Sequence, residues 1–255
     1  MSAPSRGPVR PRTRGPVELA LEVTMGLFFV AMFAWFIGLL IEIVGSYTLW
    51  KGEGVVHARH LVEQDLGYIA AAPRSLLIDD TAAFALQIVR WVRMPYERVG
   101  LLRWYQGQQT SLQTAGESGS ARSAANPIGQ GIKRTTRSIF TTLGQWAVMS
   151  MHVGMDVLLR LSVALFALPA FVLACLVGAV DGLVRRDLRR WGGGRESSFV
   201  YHHAKRYTSW ALTGGFGLYL SWPFGGFNPA YMVLVFTVLV AATLSTTVAA
   251  FKKYL

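Results

Sequence analysis

The most informative segment of the chain runs from Tyr207 to Phe251 and reads YTSWALTGGFGLYLSWPFGGFNPAYMVLVFTVLVAATLSTTVAAF. None of its residues is Lys, Arg, Asp or Glu. A membrane-spanning helix needs about 20 predominantly apolar residues, so the segment is long enough for two bilayer crossings joined by the turn at residues 221–229. We therefore predict an integral membrane protein.

The composition of the whole chain agrees with this prediction. Hydrophobic residues make up 52% of the sequence and charged residues 15%, whereas about a quarter of an ordinary soluble domain is charged. The net charge is +11, and the densest basic clusters flank apolar segments. We interpret this excess as a signal for membrane orientation, with direct contact to nucleic acid as the alternative. The single cysteine, Cys175, excludes an intrachain disulfide and does not indicate the compartment.

Four apolar segments qualify as membrane spans, and they predict an all-α fold. They are residues 23–44, 161–180, 207–222 and 230–251, with a turn at 223–229 between the last two. The third segment is the shortest, and its 16 residues reach about 24 Å as a helix, less than a hydrocarbon core of about 30 Å. A re-entrant element is therefore the alternative for this segment.

The distribution of basic residues predicts the orientation of the chain. The tail at 1–22, the loop at 181–206 and the end at 252–255 all carry a basic excess. They share one side only if the chain crosses the membrane four times, and the positive-inside rule assigns that side to the cytoplasm. A re-entrant third segment would instead leave the C-terminal lysines on the outer side. We therefore predict four crossings, with both termini cytoplasmic and residues 45–160 outside.

The outer segment shows apolar residues at helical spacing. Two amphipathic helices are predicted near 55–69 and 76–92, with Pro95 as a candidate break. Residues 106–131 are rich in Gln, Ser, Gly, Ala and Thr, and they predict a flexible linker. A helical pattern resumes at 139–151 and continues towards the second span. We expect these helices to lie on the membrane surface or against partner subunits.

Small residues recur at every fourth position in the predicted spans. This pattern lets helix backbones approach closely, so it predicts a packed bundle or a contact between copies of the chain. The residues are Ala34 and Gly38, then Ala170, Ala174 and Gly178, then Ala211 and Gly215, and finally Ala241, Ser245 and Ala249.

Residues capable of chemistry are few. Glu42 is the only ionisable residue inside a predicted span, and we expect it to reach water because it lies near the outer boundary. Without a second buried acid or base, a small-solute transporter or channel lacks its usual residues and is the runner-up class. His57 and His60, followed by Glu63, have a spacing that could hold a metal ion. We interpret these side chains as solvated and keep a metal enzyme as a third class.

Sequence motifs for catalysis are absent. The chain contains none of the motifs of nucleophilic hydrolases, zinc proteases or phosphate-binding loops. We therefore predict that the protein is not an enzyme and that it uses no cofactor or metal.

The most distinctive stretch of the predicted cytoplasmic loop is GRESSFVYHHAKR at residues 194–206. Its basic and aromatic side chains predict a contact surface just below the membrane. One role is contact with anionic lipid headgroups, at about 1 kcal/mol per basic residue, and the other is docking of a cytoplasmic partner. The candidate contact residues are Arg195, Glu196, Tyr201, His202, Lys205 and Arg206.

The Gly-Arg-Glu-Ser, Val-Tyr-His and Ala-Lys elements of this stretch, between two apolar spans, resemble the integrating conjugative element membrane proteins. The basic tail, early anchor, long outer segment and terminal hairpin are similar to the layout of that bacterial family, so the likeness covers most of the chain. It implies a multi-pass protein of the bacterial inner membrane, close to the coupling ATPase and a type IV secretion apparatus. The family supplies no catalytic residues. We therefore predict a non-enzymatic accessory of conjugative DNA transfer that docks the coupling ATPase or another transfer component.

Overall fold

A computed structural model describes residues 15–72, 75–117, 127–192, 214–222, 224–226 and 228–250 of the chain. All regular secondary structure within these residues is helical, which confirms the predicted all-α class. The helices are α1 (Pro16–Thr48), α2 (Gly54–Ala71), α3 (Thr81–Arg98), α4 (Leu101–Glu117), α5 (Pro127–Phe166), α6 (Leu168–Trp191), α7 (helical residues 214–220) and α8 (Pro229–Ala249).

Helix α5 is the centre of a helical body that also contains α2, α3, α4 and part of α1. Apolar side chains recur every three or four residues along α5, so they lie on one face of the helix and enter a common core. The core residues are Val148, Met151, Met155 and Leu159 of α5, Val62 and Ile69 of α2, and Ala85 of α3. Removal of these side chains from water stabilises the body.

A second face of α5 packs on α1. The small residues Ala34 and Gly38 are buried there, and a Cβ atom on Gly38 would lie 3.0 Å from Cγ1 of Val153. The indole Nε1 of Trp35 also donates to the backbone oxygen of Ser150 at 2.9 Å. The predicted packing role of the small-residue stripe in the first span is therefore confirmed.

Helices α6 and α8 form a closely packed parallel pair. Contacts advance in the same direction along both helices: Gly178 with Ala241, Gly182 with Ser245, and Arg189 with Ala249. A Cβ atom on Gly178 or Gly182 would lie 2.5 or 2.6 Å from a backbone oxygen of α8, so glycine is required for this approach. The structure confirms the packing role predicted for these stripes.

A parallel pair requires the intervening chain to return to the end where α6 begins. Helix α7 belongs to this return, because a Cβ atom on Gly215 would lie 2.9 Å from the ring of Phe236 in α8. The turn after α7 therefore joins the two helices as an antiparallel hairpin. Residues 207–213, the first part of the predicted third span, lie outside the described residues.

Among the described residues, four helices are long and apolar enough to cross a membrane, which is consistent with a multi-pass membrane protein. They are α1, α5 over Ser138–Phe166, α6 and α8. Burial separates them: 56% of the apolar window of α5 is buried within the protein, compared with 17% for α1 and 11% for α6 and for α8. Helix α5 is thus mainly a core element, whereas the other three expose most of their apolar side chains.

The course of the helices differs from the sequence-based expectations at three places. The predicted span at 161–180 is divided at Ala167, because Pro169 has no N–H and its ring clashes with the carbonyl group four residues earlier. Helix α3, in contrast, continues through Pro95. The described residues of the predicted linker, 106–117 and 127–131, are helical and belong to α4 and α5.

Candidate functional site

A cluster of buried ionisable side chains lies where α2, α5 and the end of α7 meet. Its centre is Arg160 of α5, whose side chain is 5% exposed. Its Nε atom donates to Oδ2 of Asp65 at 2.9 Å, and its Nη2 atom lies 3.2 Å from Oδ2 of Asp156. Both aspartates are buried as well. Charged groups are retained inside a protein only when they are paired in this way, because the loss of hydration is otherwise too costly.

Arg160 also binds the backbone at the end of α7. Its Nη1 atom donates to the carbonyl oxygens of Tyr219 at 3.1 Å and Trp222 at 2.6 Å. The hydroxyl group of Tyr219 in turn donates to the carbonyl oxygen of Arg160 at 3.2 Å. The last carbonyl groups of a helix have no partner within that helix, so the arginine satisfies groups that would otherwise be unpaired. The cluster therefore ties the returning segment to the helical body.

Helix geometry places each member of the cluster on a buried helix face. Asp156 and Arg160 are four residues apart and lie on one face of α5. Asp65 lies on the buried face of α2, which it shares with Leu61 and Ile69. This cluster was not predicted from the sequence, and the expectation of no second buried acid or base besides Glu42 is wrong. Two opposite charges at helical spacing inside an otherwise uncharged apolar run were the available signal.

A second pair of ionisable side chains lies near the end of α1, with Glu42 buried and His57 22% exposed. Nδ1 of His57 lies 2.9 Å from Oε1 and 3.2 Å from Oε2 of Glu42. The imidazole ring also stacks on Trp50, with ring centroids 4.0 Å apart and planes 13° apart. Glu42 is only 2% exposed, so the expectation that it reaches water is wrong. The short connection between α1 and α2 folds the histidine back over the carboxyl group.

His57 and His60, which the sequence spacing predicted as one candidate metal site, have different surroundings in the structure. His57 binds Glu42, whereas His60 is exposed. Glu63, the third residue of the candidate metal set, pairs with Arg59 on the surface at 2.8 Å. Within the described part of the chain, no group of three or more His, Cys, Asp or Glu side chains is arranged to hold a metal ion.

The C-terminal end of α6 is basic and is only partly engaged. Arg185 pairs with Asp181 at 2.9 Å, and Arg189 donates to the carbonyl oxygen of Ala249 at 3.2 Å. Trp191, the last helical residue, is 92% exposed. The predicted contact residues follow this end and lie outside the described residues: Arg195, Glu196, Tyr201, His202, Lys205 and Arg206.

Comparison with known families connects this architecture to DNA transfer. The family model described as IncC plasmid conjugative DNA transfer protein DtrJ-like matches residues 49–252, which is most of the chain. The chain belongs to the DtrJ-like family. Comparisons of this DtrJ-like chain with curated proteins and with solved structures gave no match.

Membership in the DtrJ-like family points to a role in conjugative DNA transfer. The predicted resemblance to a conjugation-associated family is thus confirmed, although the match does not extend to an integrating conjugative element. The matched region of this DtrJ-like chain begins directly after α1 and contains Asp65, Asp156 and Arg160. Glu42 lies before the matched region, so the match contains the whole Arg160 cluster but only His57 of the Glu42–His57 pair.

Proposed function

We propose that this DtrJ-like protein is a non-enzymatic, multi-pass protein of the bacterial inner membrane that docks a component of the DNA-transfer apparatus. The observation that carries the proposal is one arrangement: a helical body around α5 is joined to exposed apolar helices, and α6 ends in a basic surface. The family match supports the connection with conjugative transfer.

The proposed membrane spans are α1, α6, the segment that contains α7, and α8, with α5 in an outer helical body. The parallel course of α6 and α8 supports this assignment, because two spans in the same direction require one crossing between them. Helix α1 has 33 residues and reaches about 50 Å, whereas a hydrocarbon core is about 30 Å thick. Its second half is therefore long enough to continue into the outer body. Both termini are then cytoplasmic.

The proposed docking surface consists of the C-terminal end of α6 and residues 193–206, which follow it in the sequence. Arg190 and Trp191 are exposed at this end of the helix. Arg and Trp are the residue types that most often dominate the binding energy of protein interfaces. We propose the coupling ATPase of the transfer apparatus as the partner, while anionic lipid headgroups contact neighbouring arginines.

Cysteine labelling tests the topology. In a Cys175→Ala background, His60→Cys is expected to react with a membrane-impermeant maleimide in cells whose outer membrane alone is permeabilised. Trp191→Cys is expected to react only after the inner membrane is also opened. Both positions are exposed, and neither change removes an arginine or lysine that contributes to orientation. Labelling of both cysteines from the same side would contradict the proposed topology.

Crosslinking tests the docking role. A photoreactive amino acid at Trp191 is expected to capture the coupling ATPase in donor cells, and Arg186→Gln with Arg190→Gln is expected to reduce capture and DNA transfer together. Lysine at the same two positions is the matched control, because it retains the charge that orients the chain. Capture of lipid alone, with normal transfer by the Gln variant, would reject docking at this surface.

A small-solute transporter is the second candidate, and the buried Asp65, Asp156 and Arg160 favour it, because ionisable residues within apolar segments often mark pathways. Solute or proton flux in vesicles containing purified protein would support this candidate. If the protein is a docking component and not a transporter, vesicles that contain it are expected to show the same flux as protein-free vesicles.

A further inference from the structure

A small chamber lies between the Glu42–His57 pair and the Arg160 cluster. The centre of a water molecule can occupy a volume of about 10 Å³ inside this chamber. Helices α1, α2, α5 and α7 all contribute to its wall, and most of the lining residues are buried. They are Gly38, Glu42, Ala58, Leu61, Val153, Asp156, Leu220, Ser221 and Trp222. A volume of this size fits one water molecule when several polar groups face it.

Two residues that line the chamber, Asp156 and Trp222, each carry a buried polar atom with unused hydrogen-bonding capacity. Asp156 is 6% exposed, and its Oδ1 atom is buried. No described residue donates a hydrogen bond to this atom. The buried Nε1–H group of Trp222 likewise finds no acceptor among the described residues. A buried donor and a buried acceptor that stay unpaired destabilise a fold, so each is expected to find a partner. Because both residues line one chamber, a single molecule that accepts and donates can pair them.

We propose that the chamber binds one structural water molecule. The indole N–H of Trp222 donates to the water oxygen, and the two O–H groups of the water donate to Asp156 and Glu42. This arrangement gives the water three hydrogen bonds, the usual number for a buried water. A cation fits less well, since the indole group on the wall is a donor and cannot coordinate positive charge.

The bound water connects two networks that are otherwise separate. On one side lies the Glu42–His57 pair, and on the other lies Arg160 with its two aspartates. The Asp156 carboxyl group belongs to both through its two oxygen atoms, because Oδ2 faces Arg160 and Oδ1 is available to the water. The water therefore extends one hydrogen-bonded network across α1, α2, α5 and the end of α7.

An experimental density map at a resolution that reveals ordered waters tests the proposal on the full-length protein in a lipid nanodisc. The expected result is a peak about 2.8–3.0 Å from both Asp156 Oδ1 and Trp222 Nε1. The absence of such a peak, when other internal waters are visible, would overturn the proposal. A peak with five or more oxygen neighbours near 2.4 Å would indicate a cation and would also overturn it. A direct contact between Asp65 and Asp156 through a shared proton, with no third atom at Oδ1, is another contradicting result.

A variant gives an independent measurement. Trp222→Phe keeps the ring and removes the N–H donor, so it is expected to lower Tm and to weaken the density peak. The matched control is Trp91→Phe, whose indole is on the surface at 55% exposure and whose Tm is expected to stay unchanged. Equal Tm values for the Trp222→Phe variant and the parent protein would count against the water bridge. If the Trp222→Phe variant does not fold, the density map of the parent protein alone shows whether the chamber holds a water molecule.

Discussion

Replacement of Arg160 by Met is the most direct test of the buried cluster. The arginine side chain is 5% exposed, and its guanidinium contacts two carboxyl groups and two backbone carbonyl oxygens. Methionine occupies a similar part of the core but offers no donor. The variant therefore leaves Asp65, Asp156 and the end of α7 without their partner, while apolar packing changes little.

The expected loss of stability is large. The ion pairs of Arg160 are 2.9 and 3.2 Å long, and the aspartate side chains are only 6% and 9% exposed, so water cannot replace the lost partner without opening the core. Removal of one member of a buried ion pair costs about 3–5 kcal/mol. For a chain of this size, 1 kcal/mol corresponds to about 2–4 °C in Tm, so we expect a decrease of about 6–20 °C.

Thermal unfolding of the purified protein in one detergent, followed by circular dichroism, measures this loss. Arg59→Gln is the matched control, because Arg59 also pairs with a carboxylate at 2.8 Å but its side chain is 69% exposed. Exposed pairs contribute less than about 1 kcal/mol, so the control is expected to shift Tm by only a few degrees. Arg160→Lys is expected to fall between these variants, since an ammonium group cannot reproduce the guanidinium fork.

A decrease in Tm for Arg160→Met that is no larger than for Arg59→Gln would contradict the predicted contribution of the buried ion pairs to stability. A second comparison separates charge from packing. Asp65→Asn and Asp156→Asn, introduced together into the Arg160→Met protein, remove the carboxyl charges that the methionine leaves unpaired. Part of the lost stability is therefore expected to return, and its absence would assign the loss to packing.

Two further variants test the other contacts. His57→Ala removes the partner of the buried Glu42 and is expected to lower the free energy of unfolding by about 1–3 kcal/mol. The control His60→Ala, on the exposed face of α2, is expected to change this free energy little. Equal effects of the two variants in denaturant titrations would contradict the pairing of His57 with Glu42. Gly182→Ala is expected to destabilise the protein, because the new Cβ would lie 2.6 Å from a backbone oxygen of α8. The control Gly26→Ala has no atom within 4 Å of its new Cβ, so it is expected to stabilise the protein by up to about 1 kcal/mol through helix propensity. A shift of the same sign in both glycine variants would contradict the close approach of α6 and α8.

Apolar length and small-residue spacing predicted much of the fold. The long uncharged segments are helices, and Gly178 contacts α8 as its position in the stripe predicts. These features depend on local composition and on helix geometry, which a single sequence displays directly. The break at Ala167 was also readable in principle, because Pro169 follows it, but mean hydropathy continues across the proline and concealed the boundary.

The buried cluster was less accessible to prediction from sequence. Asp65 and Arg160 are separated by 95 positions, and nothing in their local sequence specifies that they meet. For Glu42, distance from the centre of the predicted span suggested contact with water, but burial is decided by the fold of the next helix over the carboxyl group. The candidate contact residues 195–206 lie outside the described residues, so their role stays a prediction.

The parallel course of α6 and α8 has an electrostatic consequence. Peptide dipoles add along each helix, so the two C-termini bring partial negative charges to the same end of the pair, where they repel one another. Arg189 lies at that end and donates to the last helical carbonyl group of α8 at Ala249. Its positive charge offsets both helix ends at once. Exchange of this arginine for a neutral residue should therefore loosen the pair itself, whatever molecule contacts the neighbouring arginines.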